Sequence, residues 1–235
     1  MSLPFAYPPL EASMSESESN LILTASEGLF VSPIWIFDVD PEIGTDLNLS
    51  LRASLEQMMA PLPDIPRGET WQSEQKLHRA PAFAEFVDMV YQAGATIVNE
   101  MKFEQKELEI TGCWANINPG GSAHKAHSHA NNFLSGVYYL KLPPGSGAIS
   151  FHDPRPQSIQ LTPRVTQNNA LNSTIQTIPV EEGRMVLFPS WLAHSVPANP
   201  SNDVRISVSF NLMFANFTET ISPPLWSGLP LKGVD

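Results

Sequence analysis

The sequence has a single cysteine, Cys113, in 235 residues, and it lacks long apolar and basic runs. One cysteine cannot form a disulfide within the chain, which is typical of a reducing compartment. Because 24 acidic residues outnumber 13 Lys and Arg, giving a net charge of −11, the basic surface of nucleic-acid and anionic-membrane binders is missing. No stretch has the roughly 18 apolar residues of a membrane span, and the N-terminus has no signal-peptide pattern. We expect a soluble cytoplasmic protein without a nucleic-acid or membrane partner.

The composition indicates one large domain that is rich in strands. The chain contains 22 Pro and 13 Gly, with 42% hydrophobic and 16% charged residues, and it has no repeat. Residues 11–20, "EASMSESESN", bury too little apolar surface to offset the entropy of ordering. We therefore predict a flexible acidic tail over residues 1–20 and a single domain over residues 21–235.

Hydrophobic periodicity predicts two helices followed by many strands. Apolar residues recur at helical spacing in 46–60 and 80–101, and the second helix is long enough to cover a sheet. Strand patterns occupy 29–40, where Pro33 favours a sheet edge, and then 108–118, 134–142, 147–151, 184–188 and 204–214. The prediction is a mainly β fold with flanking helices, either a β-sandwich or a double-stranded β-helix.

Three of the six histidines fall in "HKAHSH", residues 124–129. In an extended segment His127 and His129 point to the same face, whereas His124 does not share that parity. Two imidazoles could therefore converge on one metal ion. The same pair could equally lie in a solvated polar loop after the Pro-Gly-Gly turn, and spacing alone does not decide.

A second polar cluster lies downstream. His194 follows an apolar strand, and Arg205 lies eleven residues later inside another strand, where a charge is costly unless it is paired. From Arg205 to Asn211 polar and apolar residues alternate, so one face of this strand is polar. That face lines a cavity if the apolar face packs on the helices; otherwise it faces water.

These stretches carry a family resemblance. "HSHANNFLSGVYYLKLPPGSGAISFHDPRP" and "GRMVLFPSWLAHSVPANPSNDVRISVSFN" resemble the iron(II)- and 2-oxoglutarate-dependent dioxygenases, in particular an uncharacterised prolyl-hydroxylase-like branch. The likeness extends from about residue 29 to 217. It implies a double-stranded β-helix, or jelly roll, with the metal and the cosubstrate between its two sheets.

The resemblance also implies a ligand set for Fe(II). The family pattern of a His, a carboxylate two residues later and a distal His falls on His127, His129 and His194, so a histidine replaces the carboxylate. A site of three histidines is chemically reasonable, because imidazole is a good iron ligand. Asp153 is the alternative source of a carboxylate, although an Asp before Pro also closes turns readily.

By the same resemblance, Arg205 pairs with the distal carboxylate of 2-oxoglutarate, a role that suits a bidentate guanidinium. Tyr139 resembles the phenol that is directed at that carboxylate in prolyl-hydroxylase-type members. Ser207 or Ser209 could donate a further hydrogen bond, and Asn116 could enter the cavity from its own strand. Ordinary structural roles for Tyr139 and Asn116 remain open.

The expected activity is a dioxygenase reaction that couples decarboxylation of 2-oxoglutarate to succinate with oxidation, by default hydroxylation, of a small-molecule or peptide substrate. Two alternatives are a cupin-like metal enzyme that does not use 2-oxoglutarate and a non-catalytic jelly-roll protein. Trp114 and Trp191 could shape a substrate pocket, but aromatic residues near a metal cavity more often belong to the core. His78 and His152 have no partner at ligand spacing, and a homodimer is a possible assembly.

Overall fold

The computed structural model describes residues 23–59 and 64–217. The chain divides after Pro33 into two units, and the described part of the first, residues 23–33, contains no helix or strand and is largely exposed. The predicted tail at 1–20 lies outside the described residues, so the division into a tail and a single domain stays a prediction. Within the described residues, no helix has the length and apolar character of a membrane span.

The second unit contains two α-helices and ten strands within the described residues. The helices are α1 (Pro41–Met58) and α2 (Ala84–Glu100). The strands are β1 (Trp35–Asp38), β2 (Trp71–Gln72), β3 (Leu108–Asn118), β4 (His124–His127), β5 (Leu134–Lys141), β6 (Ala148–His152), β7 (Ile175–Pro179), β8 (Arg184–Pro189), β9 (His194–Val196) and β10 (Arg205–Phe214).

The strands form two antiparallel sheets. The major sheet has six strands in the order β1-β8-β5-β10-β3-β2, and the minor sheet has four in the order β4-β9-β6-β7. Most neighbouring strands are not consecutive along the chain, as when β5 pairs with both β8 and β10. This arrangement, flanked by helices, confirms the predicted jelly roll.

Alternation along the strands of the major sheet separates two apolar clusters. On one face, Tyr138, Leu187, Val208 and Phe210 pack with the apolar sides of both helices. The α2 helix approaches closely enough that a Cβ on Gly94 would lie 2.8 Å from Leu108 Cδ1. On the other face, Val137, Tyr139, Val186 and Phe188 meet Ile149 and Phe151 of the minor sheet. One face of the major sheet therefore packs on the helices, and its other face forms one wall of the space between the two sheets.

The predicted elements agree with the structure except at some ends and in the minor sheet. The strand predicted at 29–40 is limited to Trp35–Asp38, at the sheet edge that Pro33 favours. Helix α1 begins at Pro41 and not at residue 46, because the Asp40 carboxylate accepts a hydrogen bond from the Glu42 amide at 2.9 Å and caps the helix. The short strands β2, β4, β7 and β9 carry too few residues for a periodic signal.

Candidate active site

A pocket of about 530 Å³, including the part open to solvent, lies between the two sheets. Four histidines, His124, His127, His129 and His194, line it from the side of the minor sheet, and Arg205 lines it from β10. The lining residues include no Asp, Glu or Lys. Its formal charge at neutral pH therefore comes from Arg205 whenever the imidazoles are neutral, and the pocket suits an anionic ligand.

Three of the histidines are arranged as a group that could hold a metal ion. One nitrogen from each of His127, His129 and His194 lies within 4.8 Å of the others. The register of β4 and β9 places His127 directly opposite His194, and His129 follows two residues after the end of β4. Their ring centroids are 4.4 Å apart for His127 and His194, and 5.0 Å apart for His127 and His129. The three predicted histidines therefore converge.

Backbone carbonyls set the tautomers of two of these rings. His127 Nδ1 lies 2.7 Å from the Lys125 carbonyl oxygen, and His194 Nδ1 lies 3.1 Å from that of Leu192. A carbonyl only accepts, so each Nδ1 carries the proton and donates it. The Nε2 lone pair of each ring is left available, which is the arrangement that backbone contacts give metal-bound histidines.

Burial favours the uncharged form of the His129 and His194 rings. Desolvation lowers the pKa of His194 to about 4, with a smaller contribution from the neighbouring imidazoles, and it opposes the effect of the Leu192 carbonyl. The pKa of His129 is also lowered, mainly by burial and then by His127. Neutral imidazole is the form that binds a metal, so at pH 7 neither ring has to lose a proton first.

Hydrogen bonds to the turn between β8 and β9 hold the backbone at His129. Its backbone amide donates to the Ser190 carbonyl at 2.9 Å, and the Ser190 amide donates to the Phe133 carbonyl at 3.0 Å. The Ser190 hydroxyl lies 2.8 Å from that of Ser135, within the buried interior. The ring of Trp114 lies 6.0 Å from that of His129, centroid to centroid. Trp114 thus lines the pocket, whereas Trp191 is 57% exposed and does not.

Arg205 and Tyr139 form the opposite end of the pocket. Arg205 is 3% exposed and Tyr139 is fully buried, with the guanidinium carbon 5.4 Å from the centre of the phenol ring. Arg205 Nε and the Tyr139 hydroxyl have no hydrogen-bond partner among the described residues. Arg205 belongs to none of the ion pairs among the described residues, which are Lys141–Asp203, Arg155–Asp153 and Arg184–Asp38. A buried cation without a carboxylate partner among the described residues suits an anionic ligand.

The ionisation of both groups fits this arrangement. Burial raises the pKa of Tyr139 to about 12, opposing the nearby Arg205, so the phenol stays protonated and can donate. Burial lowers the pKa of Arg205, and Tyr139 counteracts part of that effect. The guanidinium stays charged nonetheless, because the side chain of arginine is protonated in proteins at every physiological pH.

The other predicted pocket residues lie on the same wall. Ser207, which is 3% exposed, lies between Tyr139 and Asn116 in the strand register. The Asn116 amide nitrogen donates to the Ser209 hydroxyl at 2.9 Å, and its oxygen accepts from Gln72 at 2.7 Å. Asn116 therefore already has partners on both atoms of its side-chain amide. Gln72 is a further pocket residue, which the sequence did not indicate because β2 has only two residues.

Asp153 lies away from the three histidines. Its carboxylate receives hydrogen bonds from the side chain of Arg155, at 2.9 and 2.8 Å, and from the Arg155 amide at 3.0 Å. These contacts lower the pKa of Asp153 to about 2. Among the described residues, it belongs neither to the histidine group nor to the pocket lining. The geometry matches the turn-closing interpretation of this Asp-Pro pair.

His124 is a pocket residue that parity did not indicate. The β4–β9 pairing shifts register between His124 and His127, and this irregularity turns both side chains toward the pocket. His124 Nε2 lies 3.0 Å from the amide nitrogen of Asn118, which is directly opposite Arg205 in the β3–β10 ladder. A bulge cannot be inferred from the spacing of three histidines alone.

The fold and the site together define a jelly-roll protein with three convergent histidines and a buried arginine in one pocket. Residues 112–211 match the model of a family described as "Putative 2OG-Fe(II) oxygenase". The matched segment includes the three histidines, Tyr139 and Arg205. The match confirms the predicted family resemblance over this segment, which is less than half of the chain and is similar to the 2OG-Fe(II) oxygenases. No curated protein matches the chain.

Solved structures with low sequence identity share the fold. HygX from Streptomyces hygroscopicus, with nickel and 2-oxoglutarate bound, is 16% identical, covers 80% of this chain and 85% of its own, and gives a TM-score of 0.55. A Pseudomonas putida prolyl-4-hydroxylase is 17% identical over 78% of this chain and 93% of its own, with a TM-score of 0.53. The epimerase SnoN from nogalamycin biosynthesis is 14% identical over 86% and 92%, with a TM-score of 0.56.

Proposed function

We propose that this protein is a hydroxylase that binds Fe(II) through His127, His129 and His194 and binds 2-oxoglutarate through Arg205. The observation that carries the proposal is the pairing, in one pocket, of three convergent imidazoles with a buried guanidinium that has no carboxylate partner among the described residues. When bound, Fe(II) and 2-oxoglutarate supply oxidation by dioxygen, coupled to decarboxylation of the cosubstrate to succinate.

The residues present fit these two groups. Imidazole nitrogen suits iron, and the Nδ1 contacts of His127 and His194 present Nε2 in each ring. The unpartnered Arg205 Nε and Tyr139 hydroxyl are donors suited to the distal carboxylate of 2-oxoglutarate. Ser207 lies beside Tyr139 in the ladder and adds a hydroxyl donor. The apolar side chains between the sheets, including Val137 and Phe188, limit the entry of water.

The third histidine alters the charge of the site. A carboxylate at position 129 would neutralise one of the two positive charges of Fe(II), whereas His129 leaves both. With Arg205, the site then carries three positive charges against the two negative charges of 2-oxoglutarate. We therefore propose that bound 2-oxoglutarate raises the affinity for Fe(II) more in this site than it would in a site with a carboxylate ligand.

The substrate is proposed only as a class. Related structures contain hygromycin B or nogalamycin RO, so the fold itself does not select one. The pocket between the two sheets is open to solvent, so we propose that a small molecule or one side chain of a peptide reaches it from outside. The net charge of −11 favours a substrate other than a nucleic acid.

Location and assembly stay predictions. The one cysteine is buried, and desolvation raises the pKa of its thiol to about 12, which suits the reducing cytoplasm that we propose. A homodimer is the assembly to test, by measuring mass in solution across protein concentrations.

The test is anaerobic titration of the protein with Fe(II), with and without 2-oxoglutarate, while recording the visible charge-transfer band of the chelated 2-oxo acid. We expect a band that disappears in His127→Ala and His129→Ala, persists in Asp153→Ala, and requires more 2-oxoglutarate in Arg205→Ala. Loss of the band in Asp153→Ala would contradict the three-histidine assignment.

A cupin-like enzyme is the second candidate, favoured by the absence of a carboxylate among the described pocket residues. In that enzyme, Fe(II) binds but 2-oxoglutarate gives no band and no succinate forms upon addition of oxygen. A protein that binds no metal at all would be the non-catalytic jelly roll.

A further inference from the structure

The fourth histidine of the pocket has no role in the proposed metal site. His124 lines the pocket but lies outside the group formed by His127, His129 and His194. Its Nε2 is already engaged, at 3.0 Å, by the amide nitrogen of Asn118. That amide also donates to the Thr70 hydroxyl at 3.0 Å, and Asn118 is 2% exposed. The buried Asn118 side chain therefore holds the His124 ring in position.

This hydrogen bond determines which nitrogen of His124 is free. The Asn118 amide nitrogen only donates, so Nε2 accepts and the proton of the neutral ring is on Nδ1. His124 Nδ1 forms no hydrogen bond with the described residues, and it is not among the buried polar atoms that lack a partner there. Nδ1 is therefore a free donor on a residue that lines the pocket.

His124 lies beside the guanidinium. Asn118 is the direct cross-strand neighbour of Arg205, and His124 is bound to Asn118. Burial, and next the charge of Arg205, lower the pKa of His124 to about 4. The ring is thus neutral at pH 7 and adds a donor next to the arginine without adding a second positive charge.

We propose that His124 is a cosubstrate-binding residue whose Nδ1–H donates to the distal carboxylate of 2-oxoglutarate, next to Arg205. The proposal rests on the proposed function. It makes His124 a determinant of selectivity for 2-oxo acids that carry a second carboxylate, because a neutral donor contributes only where an acceptor lies opposite it.

The experiment is calorimetric titration of the Mn(II)-loaded protein, which needs no turnover. Two ligands are compared: 2-oxoglutarate, and 2-oxopentanoate, which has the same five-carbon chain with a methyl group in place of the distal carboxylate. In His124→Phe, which keeps a ring but removes both nitrogens, we expect 2-oxoglutarate to bind about 10- to 100-fold more weakly, the range for a hydrogen bond to a charged group. Affinities for 2-oxopentanoate and for Mn(II) alone stay within about twofold of the wild type.

Two further variants separate binding from folding. His124→Gln retains an amide donor and should recover most of the lost affinity, and His124→Ala carries the same expectation as the Phe variant if Phe does not fit. His152→Phe is the matched control, because His152 lies in the same minor sheet, bonded to Ser195 at 2.9 Å, but outside the pocket. We expect its 2-oxoglutarate affinity to be that of the wild type.

Wild-type binding of 2-oxoglutarate by His124→Phe overturns the proposal, as does an equal loss for both 2-oxo acids or a parallel loss of Mn(II). A wild-type protein that binds Mn(II) but not 2-oxoglutarate overturns the proposed function itself, and that result is seen before any variant is made.

Discussion

The two sheets of the jelly roll differ in what holds them and in what they carry. The major sheet has long strands whose apolar face packs on both helices, and its other face supplies Arg205, Tyr139 and Ser207. The minor sheet brings two of the three candidate metal ligands into register through β4 and β9, which have four and three residues. The helix-facing core and the proposed anion-binding residues Arg205, Tyr139 and Ser207 therefore lie in the major sheet. Two of the proposed metal ligands, and the proposed further anion donor His124, lie in the minor sheet.

The difference teaches that a short pair of strands is enough to bring candidate metal ligands together when its neighbours position the side chains. The carbonyls of Lys125 and Leu192 orient the rings of His127 and His194. The Ser190 carbonyl accepts a hydrogen bond from the backbone amide of His129. Changes in the helix-facing core should therefore reduce stability, while changes in the pocket should alter ligand binding at little cost to stability.

The largest effect is expected for Phe210→Ala, in the helix-facing core. Phe210 is fully buried and lies 5.9 Å, edge to face, from Phe86 of α2. The lost contacts and the cavity should lower the free energy of unfolding by about 3–5 kcal/mol, measured by urea titration. The control is Trp191→Ala, at a site 57% exposed, where we expect a change within about 0.5 kcal/mol. Equal effects at both sites would contradict the assignment of the core.

Arg205→Met should separate binding from stability. Loss of the only formal charge that lines the pocket in the described residues should weaken 2-oxoglutarate binding about 100-fold, since truncation of a buried charge partner costs several kcal/mol. The free energy of unfolding should be unchanged or higher, because a buried, unpaired cation is costly in the free protein. Calorimetry and urea unfolding on the same preparation check both parts; a large loss of stability would show that Arg205 is structural.

Acid should destabilise the metal-free protein through its buried histidines. The pKa values of His124 and His194 are lowered to about 4, so between pH 6.5 and 4 the unfolded chain binds protons that the folded chain does not. Stability present above pH 6.5 is therefore lost as pH falls, by up to about 1.4 kcal/mol per pH unit for each ring. In urea unfolding from pH 7 to 5, His194→Gln should have a shallower slope than the wild type; identical slopes would contradict the burial.

The smallest effect is expected for Asp153→Ala. Its partner Arg155 has a side chain that is 63% exposed, so water screens the ion pair and its contribution to stability is small. Mn(II) affinity should equal that of the wild type, measured by calorimetry. A tenfold weaker Mn(II) affinity would move Asp153 into the metal site and would reduce the contrast between the two sheets.

Much of this arrangement follows from patterns that the sequence displays over enough residues. The alternation from Arg205 to Asn211 predicts one polar face, which lines a cavity because a helix with the spacing of Phe86, Val90 and Ile97 covers the opposite face. The separation of His127 and His129 by two residues allows their side chains to converge but does not require it.

The rest depends on features without a local signal. The bulge that turns His124 into the pocket arises from pairing with β9, and Gln72 belongs to a strand of two residues. Likewise, the isolation of Asp153 from the histidines depends on how β6 is placed, which no spacing in the sequence encodes. Long-range register therefore decides the details that spacing leaves open.

The most direct test is an anaerobic crystal structure with Mn(II) and 2-oxoglutarate. The account predicts one metal ion bound by the Nε2 atoms of His127 and His194 and by a ring nitrogen of His129, with Asp153 still paired to Arg155 and the distal carboxylate of 2-oxoglutarate at Arg205. A metal ion bound by Asp153 in place of His129, or a 2-oxoglutarate molecule that does not contact Arg205, would contradict it.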